Sequence, residues 1–150
     1  MTIKDYLKNV KIVKDNIYKE TSKIVYANEV KIIKLNTEDQ LFNKGINVNG
    51  GILGVYSGNH QPTANSLLRG FPKLSGSRYN FLDSGRLFND MELSVSNNQV
   101  TISNTDTGNK LLELYSITGA EFIGLTLENQ HKLNYEIIQP ELFTFIKKYL

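Results

Sequence analysis

Between Gly45 and Leu93 the chain sets glycines at the edges of short apolar runs. They stand at Gly45-Ile46, at Gly50-Gly51-Ile52-Leu53-Gly54-Val55-Tyr56 and at Ser84-Gly85-Arg86-Leu87-Phe88. Glycine takes left-handed backbone without a Cβ penalty, so a run built this way bends repeatedly. Few groups in it can do covalent chemistry. Bends without reactive groups point to a shaped binding surface rather than an active site.

The length of 150 residues suits one domain, or a domain with a helical arm. We read 1–29 as an amphipathic N-terminal helix and 30–150 as a core domain with a long loop at 57–70. With no Cys in the chain, disulfides, a thiol nucleophile and Cys-based zinc sites are excluded. The net charge of +2 is too small to argue for nucleic acid on its own. The first residues lack the continuous apolar core of a signal peptide, and no apolar run approaches the roughly 20 residues that span a bilayer. These features suggest a protein made in the cytoplasm that makes no use of a membrane.

Ile3, Tyr6, Leu7, Val10, Val13, Ile17 and Ile24 recur at three- and four-residue spacing, which predicts a helix over 3–27. Val30 to Leu35 is apolar and β-branched and predicts a strand. Asn36 or Thr37 then caps a helix of about two turns, with Glu38 and Asp39 in its first turn and Gly45 just past its end. Asn49-Gly50-Gly51 marks a turn, followed by a short strand at Ile52–Tyr56. Ser57 to Gly70 is a polar loop, and Gly76-Ser77 is a second turn. Leu93, Val95, Val100 and Ile102 alternate about Asn97-Asn98, a hairpin with a two-residue turn. A loop at Asn104 to Asn109 follows. Lys110–Ile117 fits a buried strand or a short helix. Thr126 caps a further helix, and Pro140 interrupts the pattern and opens a last one carrying Leu142, Phe143 and Ile146. The fold class is therefore α+β: an antiparallel sheet of about four to six strands, packed by the long N-terminal helix and the C-terminal helices.

The search for chemistry returns little. His60 and His131 have no partner at metal-ligand spacing. Gly50–Gly54 is neither a phosphate loop nor a dinucleotide fingerprint, because no Gly-Lys-Ser/Thr follows and no helix opens after it. Asp83-Ser84-Gly85 lacks the first glycine of a nucleophile elbow. Nucleophile, base and orienting group do not come together, so we expect no catalytic residue, no metal and no cofactor. Lys4, Lys8 and Lys11 form a stripe on the first helix that could meet phosphates, although Asp5, Asp15 and Glu20 dilute it.

The order of several short motifs resembles virion-morphogenesis proteins of tailed bacteriophages, the neck, head-to-tail connector and tail-completion proteins. Ser84-Gly85-x-Leu87 is followed by the strand pair from Met91 to Ile102, then Gly119-Ala120-Glu121-Phe122-Ile123-Gly124-Leu125, then the helix from Thr126. Upstream, Gln40–Asn47, Gly50, Gly54-Val55-Tyr56 and Lys73-Leu74-Ser75-Gly76 resemble structural proteins of phages of Bacteroidetes, including the crAss-like group. The resemblance covers residues 30 to 135. Asp83 before the hydroxyl-glycine pair is compatible with the pattern. Arg86-Leu87 stands where an acidic-aromatic pair is common.

The resemblance implies a non-enzymatic virion protein, synthesised in the host bacterial cytoplasm. It would form a homo-oligomeric ring of about six or twelve subunits, since head-to-tail contacts close into rings. Its partners would be the portal or an adjacent neck ring, tail proteins, and DNA by non-specific contact in a lumen. The expected contact residues are Lys4, Lys8, Lys11, Tyr56, His60, Arg69, Lys73, Arg78, Asp83, Ser84, Gly85 and Arg86. The alternative is a small nucleic-acid-binding or regulatory protein that uses the lysines of the first helix.

Overall fold

A computed structural model describes residues 2–97, 99–105 and 109–150. Helix α1 spans Ile3–Ala27, as the apolar spacing predicts. Its start is a reciprocal cap: the Asp5 N–H donates to Thr2 Oγ1 at 3.2 Å, and the Thr2 N–H donates to the Asp5 carboxylate at 3.0 Å. At its end, the Asn28 amide donates to Ile24 O and to Glu141 Oε1, both at 2.9 Å.

The chain does not turn into a strand after Asn28. Helix α2 (Glu29–Lys34) runs directly into a π-helical stretch, Leu35–Lys44. The expected strand at Val30–Leu35 is thus corrected to helix. Val25, Asn28, Ile32 and Asn36 are all buried at helical spacing, and this packing overrides the β-branched local preference. Asn36 and Thr37 do not cap a helix either. Both are buried inside the π-helical stretch. Gly45 ends it in left-handed conformation, φ +59°, as expected.

The sheet is smaller than expected. Among the described residues it is one antiparallel pair, β1 (Met91–Ser96) and β2 (Gln99–Asn104), with Leu93 facing Ile102 and Val95 facing Val100. Ser96 faces Gln99, which fits the two-residue turn; Asn97 has φ +48°, and Asn98 lies outside the described residues. So do 106–108 of the expected loop after the hairpin. The expected strand at Ile52–Tyr56 reduces to isolated bridges, Ile46 to Ile52 and Val55 to Arg78. Gly50 and Gly54 both take positive φ there and break the ladder before a second rung can form.

Three short helices complete the middle of the chain: α3 (Ala64–Leu68) inside the expected loop, α4 (Arg86–Asn89), and α5 (Lys110–Thr118), which decides the strand-or-helix ambiguity. Helix α6 (Leu127–Lys132) starts at Thr126, whose hydroxyl accepts from the Asn129 N–H at 3.3 Å. It continues through π-helical Leu133–Ile138 into α7 (Gln139–Lys147) without a break. Pro140 therefore does not interrupt the helix. It has no N–H to donate and its ring crowds the preceding turn, and the wide turn just before it accommodates both.

The core gathers Val25, Ile32, Leu41, Leu53, Phe81, Leu87, Met91, Leu93, Ile102, Phe122 and Leu133. Phe122, fully buried, stacks on Phe81 with ring centroids 5.0 Å apart and meets Tyr115 in a tilted pair at 4.6 Å. Side-chain amides fasten the turn that carries it. Asn36 Nδ2 donates to Phe122 O at 3.0 Å and Gly124 O at 2.7 Å, and Gln40 Oε1 accepts from the Thr126 N–H at 3.0 Å. Lys44 and Lys132 add ion pairs to both Asp39 and Glu128, at 3.0–3.2 Å.

Candidate functional site

The turns between 45 and 87 create a cleft. Tyr79 N–H donates to Gly54 O and Tyr56 N–H to Ser77 O, so the segments around 54 and 78 lie side by side. Helices α4 and α5 close the other side. The cavity between them has a volume of about 640 Å³. Of the expected contact residues, Tyr56, His60, Lys73, Asp83, Ser84, Gly85 and Arg86 line it.

Asp83 is the centre of its polar end. It accepts from Thr63 Oγ1 at 2.6 Å, and Lys73 Nζ stands 3.6 Å from the same oxygen. The Thr63 hydrogen bond holds the Asp83 carboxyl below its ordinary value; burial works the other way, and the Lys73 charge adds to the lowering. The Tyr56 ring stacks on His60 with centroids 4.6 Å apart, and burial pushes the Tyr56 hydroxyl up. His60 Nε2 is enclosed and has no hydrogen-bond partner among the described residues.

Ser84 and Gly85 shape the wall. The Ser84 hydroxyl accepts from the Arg86 N–H at 3.2 Å, and its carbonyl accepts from Arg69. That hydroxyl thus serves the turn into α4. Gly85 takes φ +84°, and a Cβ there would come within 3.1 Å of the Arg69 guanidinium. Arg69 touches the site only from behind this turn. Arg78 is apart from it, donating to Lys44 O at 3.2 Å.

Lys4, Lys8 and Lys11 are exposed on the far half of α1. There the helix shows a second feature. Val13 and Ile24 are buried, and α7 lies along α1 in the opposite sense, with Asn9 Nδ2 donating to Tyr149 O at 2.7 Å. Toward the N-terminus the same apolar face is progressively uncovered: Val10 is 37% exposed, Leu7 61% and Ile3 82%. The lysine row lies roughly 100° round the helix from this seam.

Sequence reasoning missed Thr63, Tyr79, Phe81 and Lys110 as cleft residues. Thr63 carried a signal, since Thr63-Ala64-Asn65-Ser66 has the form of a helix cap inside the loop; its hydroxyl accepts from the Ser66 N–H at 3.2 Å. The others enter through tertiary placement. Among the described residues no group of three or more His, Asp and Glu is arranged to hold a metal ion, and no helix is long and apolar enough to cross a membrane.

No protein-family model matches the chain, and no curated protein or solved structure matches it.

Proposed function

We propose that the chain is a non-enzymatic assembly subunit that joins further copies of itself through the uncovered half of α1. The observation that carries this reading is the continuity of the α1 seam. Val13 is buried, and Val10, Leu7 and Ile3 extend the same face with exposure that rises from 37% to 82%. Single exposed apolar residues are ordinary, but a contiguous row that prolongs a buried face marks a contact surface. Set against a different face of the next copy, the α1 row makes a head-to-tail contact, and repetition of such a contact closes a ring.

The resemblance to neck and tail-completion proteins supports the finer form of the proposal. The ring would have about six or twelve subunits and sit in a phage virion between the portal and the tail. The lysine row would then face a neighbour or the DNA channel. Light scattering across concentration tests the assembly. A closed oligomer is expected. A monomer at every concentration that also fails to bind a portal ring would overturn the proposal. Salt-sensitive DNA binding by that monomer would favour the nucleic-acid-binding alternative.

A further inference from the structure

We propose that the cleft between the 54–56 segment and helices α4 and α5 binds a small organic anion with an apolar body: one carboxylate or sulfonate on an aromatic or aliphatic frame. The volume of about 640 Å³ falls within the roughly 300–1,000 Å³ of small-molecule sites. Its walls are largely hydrocarbon, from Phe81, Leu87, Leu114 and Ile117. Such walls gain from covering an apolar frame, and a bare inorganic anion would leave them wet.

Lys73 specifies the sign of the head group. Its side chain is only 13% exposed, yet among the described residues its ammonium has one counter-ion, Asp83 at 3.6 Å. That is an ion pair beyond hydrogen-bond length. The same Asp83 oxygen is already taken by Thr63 Oγ1 at 2.6 Å. The ammonium also stands 6.0 Å from the Tyr56 ring centroid, a weak contact that satisfies none of its three donors. An ammonium at the end of a mostly buried side chain, with donors that the described residues leave unfilled, favours an entering acceptor.

The other charges agree. Among the described residues, Lys73, Arg86 and Lys110 line the cleft with one carboxylate, that of Asp83. Arg86 pairs with Asp90 at 3.4 Å and Lys110 with Glu113 at 3.1 Å, so the decisive cation is Lys73. A cationic ligand would meet three like charges. A polyphosphate would have one under-used ammonium for several charges, and apolar walls for the rest. The enclosed His60 Nε2 offers the head group a second polar partner after a small ring rotation.

The test is a fluorescence titration of the full chain with 8-anilinonaphthalene-1-sulfonate, followed by displacement with sodium decanoate. Saturable binding of one equivalent, displaced by decanoate, is expected. Lys73→Met should weaken it about tenfold, the value of one lost charge-assisted contact. Ile117→Trp, at a position 56% exposed on the cleft edge, should block it by filling the space while circular dichroism stays unchanged. Leu7→Glu should leave it unaltered, because the α1 seam is elsewhere. Unsaturable binding, equal affinity in Lys73→Met, or loss in Leu7→Glu alone would each overturn the proposal.

Discussion

The Tyr79 ring lies where a side chain at position 54 would begin: a Cβ on Gly54 would stand 2.5 Å from Tyr79 Cε2. Gly54 also has φ +141°, which L side chains rarely adopt. Backbone strain and the clash therefore act together. Gly54→Ala is expected to destabilise the fold by about 2–3 kcal/mol. For a chain of this size that lowers the melting temperature by roughly 4–12 °C. Chemical denaturation measures it directly. An unchanged midpoint would show that Tyr79 moves aside freely, which its place between Tyr56 and Phe81 opposes.

Asn36 gives a second prediction. It is fully buried, and its amide donates to two carbonyls, Phe122 O and Gly124 O. Asn36→Leu keeps the branched shape but enlarges the side chain and removes both donors. Unpaired buried carbonyls cost about 1–3 kcal/mol each, and Gln40 Nε2, 3.5 Å from Phe122 O, offers little replacement. A loss of about 2–4 kcal/mol in urea unfolding is expected. A neutral result would mean that the turn at 119–126 relaxes to reach other donors.

This same residue explains why part of the fold was hidden in the sequence. Helix α1 was legible because its buried positions are apolar. Between 28 and 41 the buried face is instead Asn28, Ile32, Asn36, Thr37, Gln40 and Leu41, half of it or more polar. Apolar periodicity cannot reveal a helix whose inward residues are amides, and the β-branched run at Val30–Ile33 then argued for a strand. The hairpin and the Thr126 cap rest on local chemistry and were readable. The cleft was legible in part. Asp83, Ser84 and Gly85 stood out, while Lys110 is brought to them by the position of α5, which no local signal encodes.

The four-charge cluster predicts the pH dependence of stability. Asp39 is half-buried; burial raises its carboxyl, but hydrogen bonds from Lys132 and Lys44 outweigh this and hold it below its ordinary 3.8. The folded chain thus prefers the carboxylate more than the unfolded chain does. Its contribution is complete above about pH 5 and fades as pH falls through the lowered folded value. On the alkaline side, Glu128 raises Lys44 and Lys132 above 10.5 through hydrogen bonds, with Asp39 adding to this, so their share fades only as pH rises beyond that. Melting temperature should plateau between these limits. Asp39→Asn should flatten the acid limb, and an identical acid limb in this variant would remove Asp39 from the account.

The last prediction separates the α1 seam from the fold. Leu7 is 61% exposed and lies beyond the stretch of α1 that α7 covers, so Leu7→Glu removes little buried area. Glutamate is also a good helix former. The melting temperature of the isolated chain should therefore change by no more than about 2 °C, the shift of roughly half a kcal/mol. Self-association should respond strongly, because a carboxylate would have to be desolvated in the middle of an apolar contact. Light scattering should show the oligomer of the natural chain and a monomer for Leu7→Glu at equal concentration. Val13→Glu, by contrast, strikes the buried part of the same face and should unfold the chain rather than dissociate it. An oligomer that survives Leu7→Glu would place the contact on another surface of the molecule.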